Sequence, residues 1–203
     1  MKKILYVLVL VLCMGSVAAC AKKTNVDTGT VIIEKKGKVV SVDLEDLDRE
    51  YYDEEELEEY ISQHVEEYTE KNGETVKLES FHVEDGRARL ELEYDTYEDY
   101  WRFNGIELYV GTVVTAQAAG YDFETEFYGV GDSEGGRQAA SRSEVLSNDD
   151  YKVAVIRANL DVEVPGTILY VSSENTEVSG KSKVSITGEG ANEEAPLTYI
   201  VYK

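Results

Sequence analysis

Gly131-Asp132-Ser133-Glu134-Gly135 sets a serine between two glycines at G-x-S-x-G spacing, the arrangement in which a sharp turn presents a hydroxyl for nucleophilic attack. Such a serine needs a base within hydrogen-bond reach, and the chain has only His64 and His82 to offer. The 41 acidic residues include many pairs that could flank a glycosidic bond, but that abundance makes any chosen pair uninformative. A different chemistry is suggested by Tyr94, Tyr97, Tyr100, Trp101 and Phe103, which concentrate aromatic area in ten residues. Exposed among acids, these rings would present an apolar face and a polar edge to a sugar or a peptide, with Tyr97, Tyr100 and Trp101 as the candidate partner-binding residues. The same letters also suit a short helix that packs its rings on a sheet.

The serine motif fails on chain order. G-x-S-x-G resembles the nucleophile elbow of α/β-hydrolases, in which the histidine follows the serine, whereas His64 and His82 both precede Ser133. The five residues also resemble the serine loop of trypsin-like proteases, but the flanking histidine motif of that family is missing. A polar Gly/Ser/Asp loop accounts for the same letters. The chain has no H-E-x-x-H motif, Cys/His cluster, Walker loop or dinucleotide fingerprint. The expectation is a protein without catalytic residues, cofactor or dedicated metal site.

Residues 1–20, MKKILYVLVLVLCMGSVAAC, carry the strongest signal. Two lysines precede an uncharged apolar run from Ile4 to Met14, followed by small residues and Cys20, the layout of a secretory signal. The run is too short to span a bilayer core of about 30 Å, which takes roughly 20 apolar residues. Ending in Val17-Ala18-Ala19-Cys20, it resembles the lipobox of bacterial lipoproteins. That resemblance implies cleavage after residue 19, acylation of Cys20 (palmitate among the chains) and anchoring at the extracytoplasmic face of the cell membrane. Cys13 leaves with the signal, so Cys20 would be the one mature thiol, and thioether attachment of lipid would protect it from oxidation. Each buried methylene contributes about 0.8 kcal/mol, and more than one acyl chain makes the anchor durable.

Residues 1–19 hold two lysines and no acid, so their removal takes the formal net charge from −21 to −23. A surface this acidic is repelled by nucleic-acid phosphates and anionic headgroups, and favours cationic partners and weakly held divalent ions. Residues 20–29 are polar and without period, a tether reaching roughly 30 Å at about 3.5 Å per residue.

Residues 30–203 fit a single α+β domain, with antiparallel sheet, one main amphipathic helix, short helices and a strand-rich C-terminal part that could form a β-subdomain over 151–203. Lys35-Lys36-Gly37-Lys38 separates two β-branched runs as a hairpin would. Asp53, followed by Glu56, caps a helix running to about Asn72, with Gly73 as its left-handed stop. Leu57, Ile61, His64, Val65 and Tyr68 form its expected buried stripe, with Tyr60 at the margin, and Glu54, Glu55, Glu58, Glu59, Glu66 and Glu67 the opposite face. That acidic row could collect calcium, although the D-x-[DN]-x-[DN]-G loop is missing.

Asp85-Gly86 predicts a two-residue turn pairing Val83 with Ala88 and Phe81 with Leu90. His82 is then exposed beside Arg89 and Glu91, and the out-of-phase Val76 and Leu78 predict a bulge near Glu79-Ser80. Thr96 caps a helix over 97–104 stopped by Gly105; strand is expected over 106–114 and 121–130, a helical turn over 115–120, and little order over 129–150. Five further strands are expected after Tyr151, with Pro165-Gly166 as a type II turn.

The reading that follows is a lipid-anchored extracytoplasmic binding or interaction module of the bacterial envelope, engaging a protein, peptide or glycan. The alternatives are an accessory subunit of an envelope complex and a carboxylate-dependent hydrolase of envelope or dietary polymers. The mature part resembles the small uncharacterised lipoproteins of bacteria, a resemblance that carries no catalytic residue.

Overall fold

The computed structural model describes residues 24–47, 53–131, 137–172, 174–188, 192 and 195–203. Cys20, the leader 1–19 and Asp132–Gly135 of the serine motif lie outside them. Thirteen strands are described: β1 (Thr30–Ile33), β2 (Val39–Asp46), β3 (Val76–Glu84), β4 (Arg87–Tyr94), β5 (Leu108–Thr112), β6 (Phe127–Gly129), β7 (Gln138–Ala140), β8 (Lys152–Ile156), β9 (Asp161–Glu163), β10 (Ile168–Ser172), β11 (Thr176–Ser179), β12 (Lys183–Ile186) and β13 (Thr198–Tyr202). Four helices accompany them: α1 (Glu54–Asn72), α2 (Tyr97–Asn104), α3 (Val113–Ala118) and α4 (Arg142–Val145). The fold is mixed α+β, rich in strand. Among the described residues no helix is long and apolar enough to cross a membrane.

The strands form a seven-stranded sheet in the order β11-β12-β9-β1-β2-β4-β3 and a six-stranded antiparallel sheet in the order β5-β8-β13-β10-β6-β7. In the first sheet β1 pairs antiparallel with β2 and parallel with β9. One apolar core takes Val31, Ile33, Val39, Leu92, Tyr94, Val162 and Val184 from the seven-stranded sheet and Leu108, Ala154, Ile156, Ile168, Val171 and Ile200 from the other. A second core lies on the opposite face of the six-stranded sheet, where Val153, Val155, Tyr199 and Val201 meet Val113, Ala116, Phe123 and Val145. The strands of 151–203 are therefore shared between both sheets and interleaved with earlier strands, instead of forming a unit of their own.

Local chemistry explains the N-terminal half. Gly37 takes φ +87° in the β1–β2 turn, and Asp85 and Gly86 both take positive φ as a type I′ turn demands. The β3–β4 register matches the expected pairs, with a shift between Leu78 and Ser80. The Asp53 side chain accepts from the Glu56 amide at 3.1 Å, and Thr96 caps α2 by accepting from the Asp99 amide at 3.2 Å. Gly73 does take positive φ, but at ψ 170° it leaves the left-handed helical basin.

Several expectations are corrected. The stripe on α1 is not buried: Leu57, Ile61, Val65 and Tyr68 are half-buried and His64 is exposed. The helix lies along β3, the outermost strand of its sheet, so it never acquires a second layer over its apolar side. Strand ends at Thr112, because its hydroxyl accepts from the Thr115 amide at 3.1 Å and opens α3. Residues 121–126 are irregular, and β7 and α4 occupy part of the stretch expected to lack order. The strand β11 was not anticipated. Gly166 lacks the positive φ of a type II turn; it is needed because a Cβ there would meet the Lys203 carbonyl oxygen at 2.4 Å.

The end of the expected tether is docked as a strap. Arg89 donates to the carbonyls of Val26 (3.2 Å) and Thr24, Thr24 donates to Glu91 at 3.0 Å, and Thr28 donates to Asp161. Beneath this strap Arg89 and Glu91 are buried, and His82 is half-buried instead of exposed. Breaking a buried ion pair from one side costs about 3–5 kcal/mol. Arg89→Met is therefore expected to lower unfolding stability by about 3 kcal/mol in urea titration and to open the chain to protease between Thr24 and Thr28 before global unfolding.

Candidate functional site

The inner face of the seven-stranded sheet changes character along β2. Val39 and Ser41 lie in the core, but the next residues on that face, Asp43 and Glu45, are carboxylates open to solvent. They stand opposite Leu90 and Ala88 of β4, with Phe81 of β3 beyond. The first half of α1 faces them with Leu57 and Ile61, leaving a cleft of about 580 Å³ between helix and sheet, within the usual range for a ligand site.

The way α1 is held explains why the cleft exists. Its second half is fastened to α2, because the Phe103 ring packs at 4.9 Å on His64 and at 5.3 Å, edge-on, against Tyr68. Its first turn is tied by the Asp53 cap and by the Val83 amide, which donates to Glu54 at 3.1 Å. Between these fastenings the half-buried Leu57 and Ile61 do not close onto the sheet. The walls are thus Leu57, Ile61, Phe81, Ala88 and Leu90, and the rim carries Asp43, Glu45, Asp46, Asp53 and Glu56 with Tyr60, which is 65% exposed. The described lining has no basic residue.

A polar chain runs from the rim into the core. Ser41 donates to Asp43 at 3.1 Å and lies 3.3 Å from the Tyr94 hydroxyl, which accepts from Asn104 at 3.0 Å. Partial desolvation in the cleft raises the Asp43 carboxyl above the usual carboxylate range. The Glu45 charge adds to this, and the Ser41 hydrogen bond opposes it. Tyr94 is raised further still by burial.

The three aromatic residues singled out in the sequence do not share a surface. Tyr100 is only 2% exposed and stands edge-on to Tyr94 at 5.2 Å, so it belongs to the core and cannot contact a partner. Tyr97 is half-buried against Tyr109 at 5.3 Å, its hydroxyl pushed up to about 12 by desolvation first and by Glu98 second. Trp101 is 43% exposed. Alternation around one short helix turns neighbouring rings to opposite sides, and the letters alone do not say which side meets the sheet. Leu57, Ile61, Phe81 and Leu90 were legible as apolar positions. Their meeting with Asp43 and Glu45 was not, because it depends on helix placement. Among the described residues no three His, Cys, Asp or Glu side chains are grouped to hold a metal ion.

Because the folded protein binds the Asp43 proton more tightly than the unfolded chain does, the contribution of Asp43 to stability falls as pH rises from about 4 through the raised value. Asp43→Asn removes that dependence. Melting temperatures measured from pH 4 to pH 7 should show the variant gaining on the parent as pH rises, with the difference level above the raised value. No protein-family model, curated protein or solved structure matches this chain.

Proposed function

We propose that the chain is a lipid-anchored binding module at the extracytoplasmic face of the cell membrane, held through acylated Cys20. In this reading the cleft beside α1 receives a basic amphipathic peptide or protein segment. The observation that carries the proposal is the pairing of apolar walls with a rim of five carboxylates, of which Asp46 alone has a described basic partner, Arg87 at 3.5 Å. An apolar side chain entering between Leu57, Ile61, Phe81 and Leu90 loses its hydration, at roughly 25 cal/mol per Å² of area removed from water. A neighbouring lysine or arginine then meets Asp43, Glu45 or Asp46. α1 acts as the amphipathic wall of the site, and its exposed acidic face adds to the field that draws a cation in.

The lipobox resemblance supports the anchor, and so does the economy of thiols, since Cys20 has no intramolecular partner once Cys13 is removed. Docking of Thr24 leaves only three residues between it and Cys20, a reach of about 14 Å at 3.5 Å per step. On this reading the module rides close to the bilayer.

Two measurements test the proposal. Calorimetry with a lysine/leucine amphipathic peptide should give saturable binding that weakens as salt is raised from low to physiological strength. Exposed charge contacts contribute about 0.2–1 kcal/mol each, so neutralising Asp43, Glu45 and Asp46 together should weaken binding about tenfold, and Leu57→Asp should abolish it. Binding that ignores both substitutions would refute the cleft as the site. Separately, mass spectrometry of the protein from its native membrane should find acyl chains on Cys20, and Cys20→Ser should release the protein from that membrane; an unmodified N-terminus would end the anchoring proposal.

A further inference from the structure

We infer that the concavity around Trp101 is a second binding site, for a pyranose ring of a glycan, separate from the cleft beside α1. Trp101 is the single tryptophan of the chain and remains 43% exposed on a helix whose other large rings, Tyr97, Tyr100 and Phe103, pack against the core. Beside it lies a hollow of about 600 Å³ whose lining includes Asn104, Ile106, Glu107, Arg157 and Asn192. Helix α2 stops there at Gly105 in the left-handed conformation, with nothing within 4 Å of where a Cβ would be, so the wall beside the indole stays open.

The polar groups of this hollow are fixed in place. Arg157 Nε donates to Glu107 Oε2 at 3.1 Å, and its Nη1 donates to the Ala195 carbonyl at 3.0 Å. The other oxygen of Glu107 accepts from the Tyr121 hydroxyl at 3.1 Å. Asn192 accepts from the Asn159 amide at 2.9 Å. A guanidinium and an amide tethered in this way present planar donors and acceptors without a further loss of rotamer entropy on binding.

The chemistry of the lining selects the ligand. Among the described lining residues Arg157 and Glu107 neutralise one another, so unlike the cleft this lining exerts little pull on a cation, and the acidity of the whole chain repels an anion. A neutral molecule with one apolar face and a hydrogen-bonding rim remains, and a pyranose is built that way. Its C–H face can lie on the indole while its hydroxyl or acetamido groups meet Arg157 and Asn192.

Because Trp101 is the sole tryptophan, its fluorescence reports on the site directly. Titration of the folded protein with tri-N-acetylchitotriose should shift the emission saturably. By calorimetry Trp101→Ala should lower affinity at least tenfold, Trp101→Phe should retain part of it, and Arg157→Lys, which loses the planar fork, should weaken it severalfold. Affinity rising from monosaccharide to trisaccharide identifies a glycan chain as the source, and equal affinity identifies a free sugar; either supports the site. Circular dichroism melting checks that each variant remains folded. Unchanged emission up to 10 mM with both chitotriose and cellotriose, or equal affinity in a folded Trp101→Ala, would overturn the inference.

Discussion

β13 is buried along its entire length, and its two faces belong to different apolar layers. Ile200 and Tyr202 point into the core between the sheets, while Tyr199 and Val201 point into the layer beneath α3 and α4. The strand pairs on one side with β8, which is likewise buried on both faces from Val153 to Ile156, and on the other with β10. A strand that must satisfy two layers has no tolerance for a register slip, since moving by one residue would exchange one set of side chains for the other. The second layer also sustains a costly conformation: Phe123 holds φ +56°, which for a bulky residue costs about 1–3 kcal/mol. Complete burial of its ring, 4.9 Å from Tyr199, returns a comparable amount.

The seven-stranded sheet is less completely covered, and the cleft lies at its uncovered end. Its β1 and β9 strands meet the core, but β2 runs on into carboxylates, and the only described element over that stretch is α1. No residue of α1 is buried, so the helix depends on its caps, on Phe103 and on half-buried contacts with β3. Glu54/Glu58 and Glu55/Glu59 repel by a few tenths of a kcal/mol each, and the favourable placement of acids in the first turn offsets part of that. A helix held in this way is fastened at both ends, with the half-buried Leu57 and Ile61 between the fastenings.

What was legible in the sequence is what local chemistry determines. Asp53, Thr96 and Asp85-Gly86 announce their caps and turn because each satisfies backbone groups within three residues. The bulge near Glu79-Ser80 followed from the phase of Val76 and Leu78 against Phe81 and Val83. The parallel pairing of β1 with β9 joins segments some 130 residues apart and leaves no local trace. The same is true of the strap: Thr24 and Val26 look like linker until the buried Arg89 supplies donors for their carbonyls. Gly166 suggested a turn, yet its role is to let the backbone of Lys203 approach, a tertiary demand that no dipeptide rule contains.

The strap also constrains how the two sites can work together. Its hydrogen bonds at Thr24 and Val26 fall on β4, the strand whose opposite face supplies Ala88 and Leu90 to the cleft, so the cleft floor and this part of the docked segment are two sides of one strand. A ligand entering the cleft cannot shift β4 without straining the Arg89 and Glu91 contacts. Trp101 sits on α2, beyond the Phe103 contacts that hold the second half of α1. Adjustment of the first half of α1 around a peptide would have to pass through His64 and Tyr68 before it reached the indole. The contacts of Phe103 with His64 and Tyr68 therefore stand between the two sites, and coupling between their ligands would have to be carried through them.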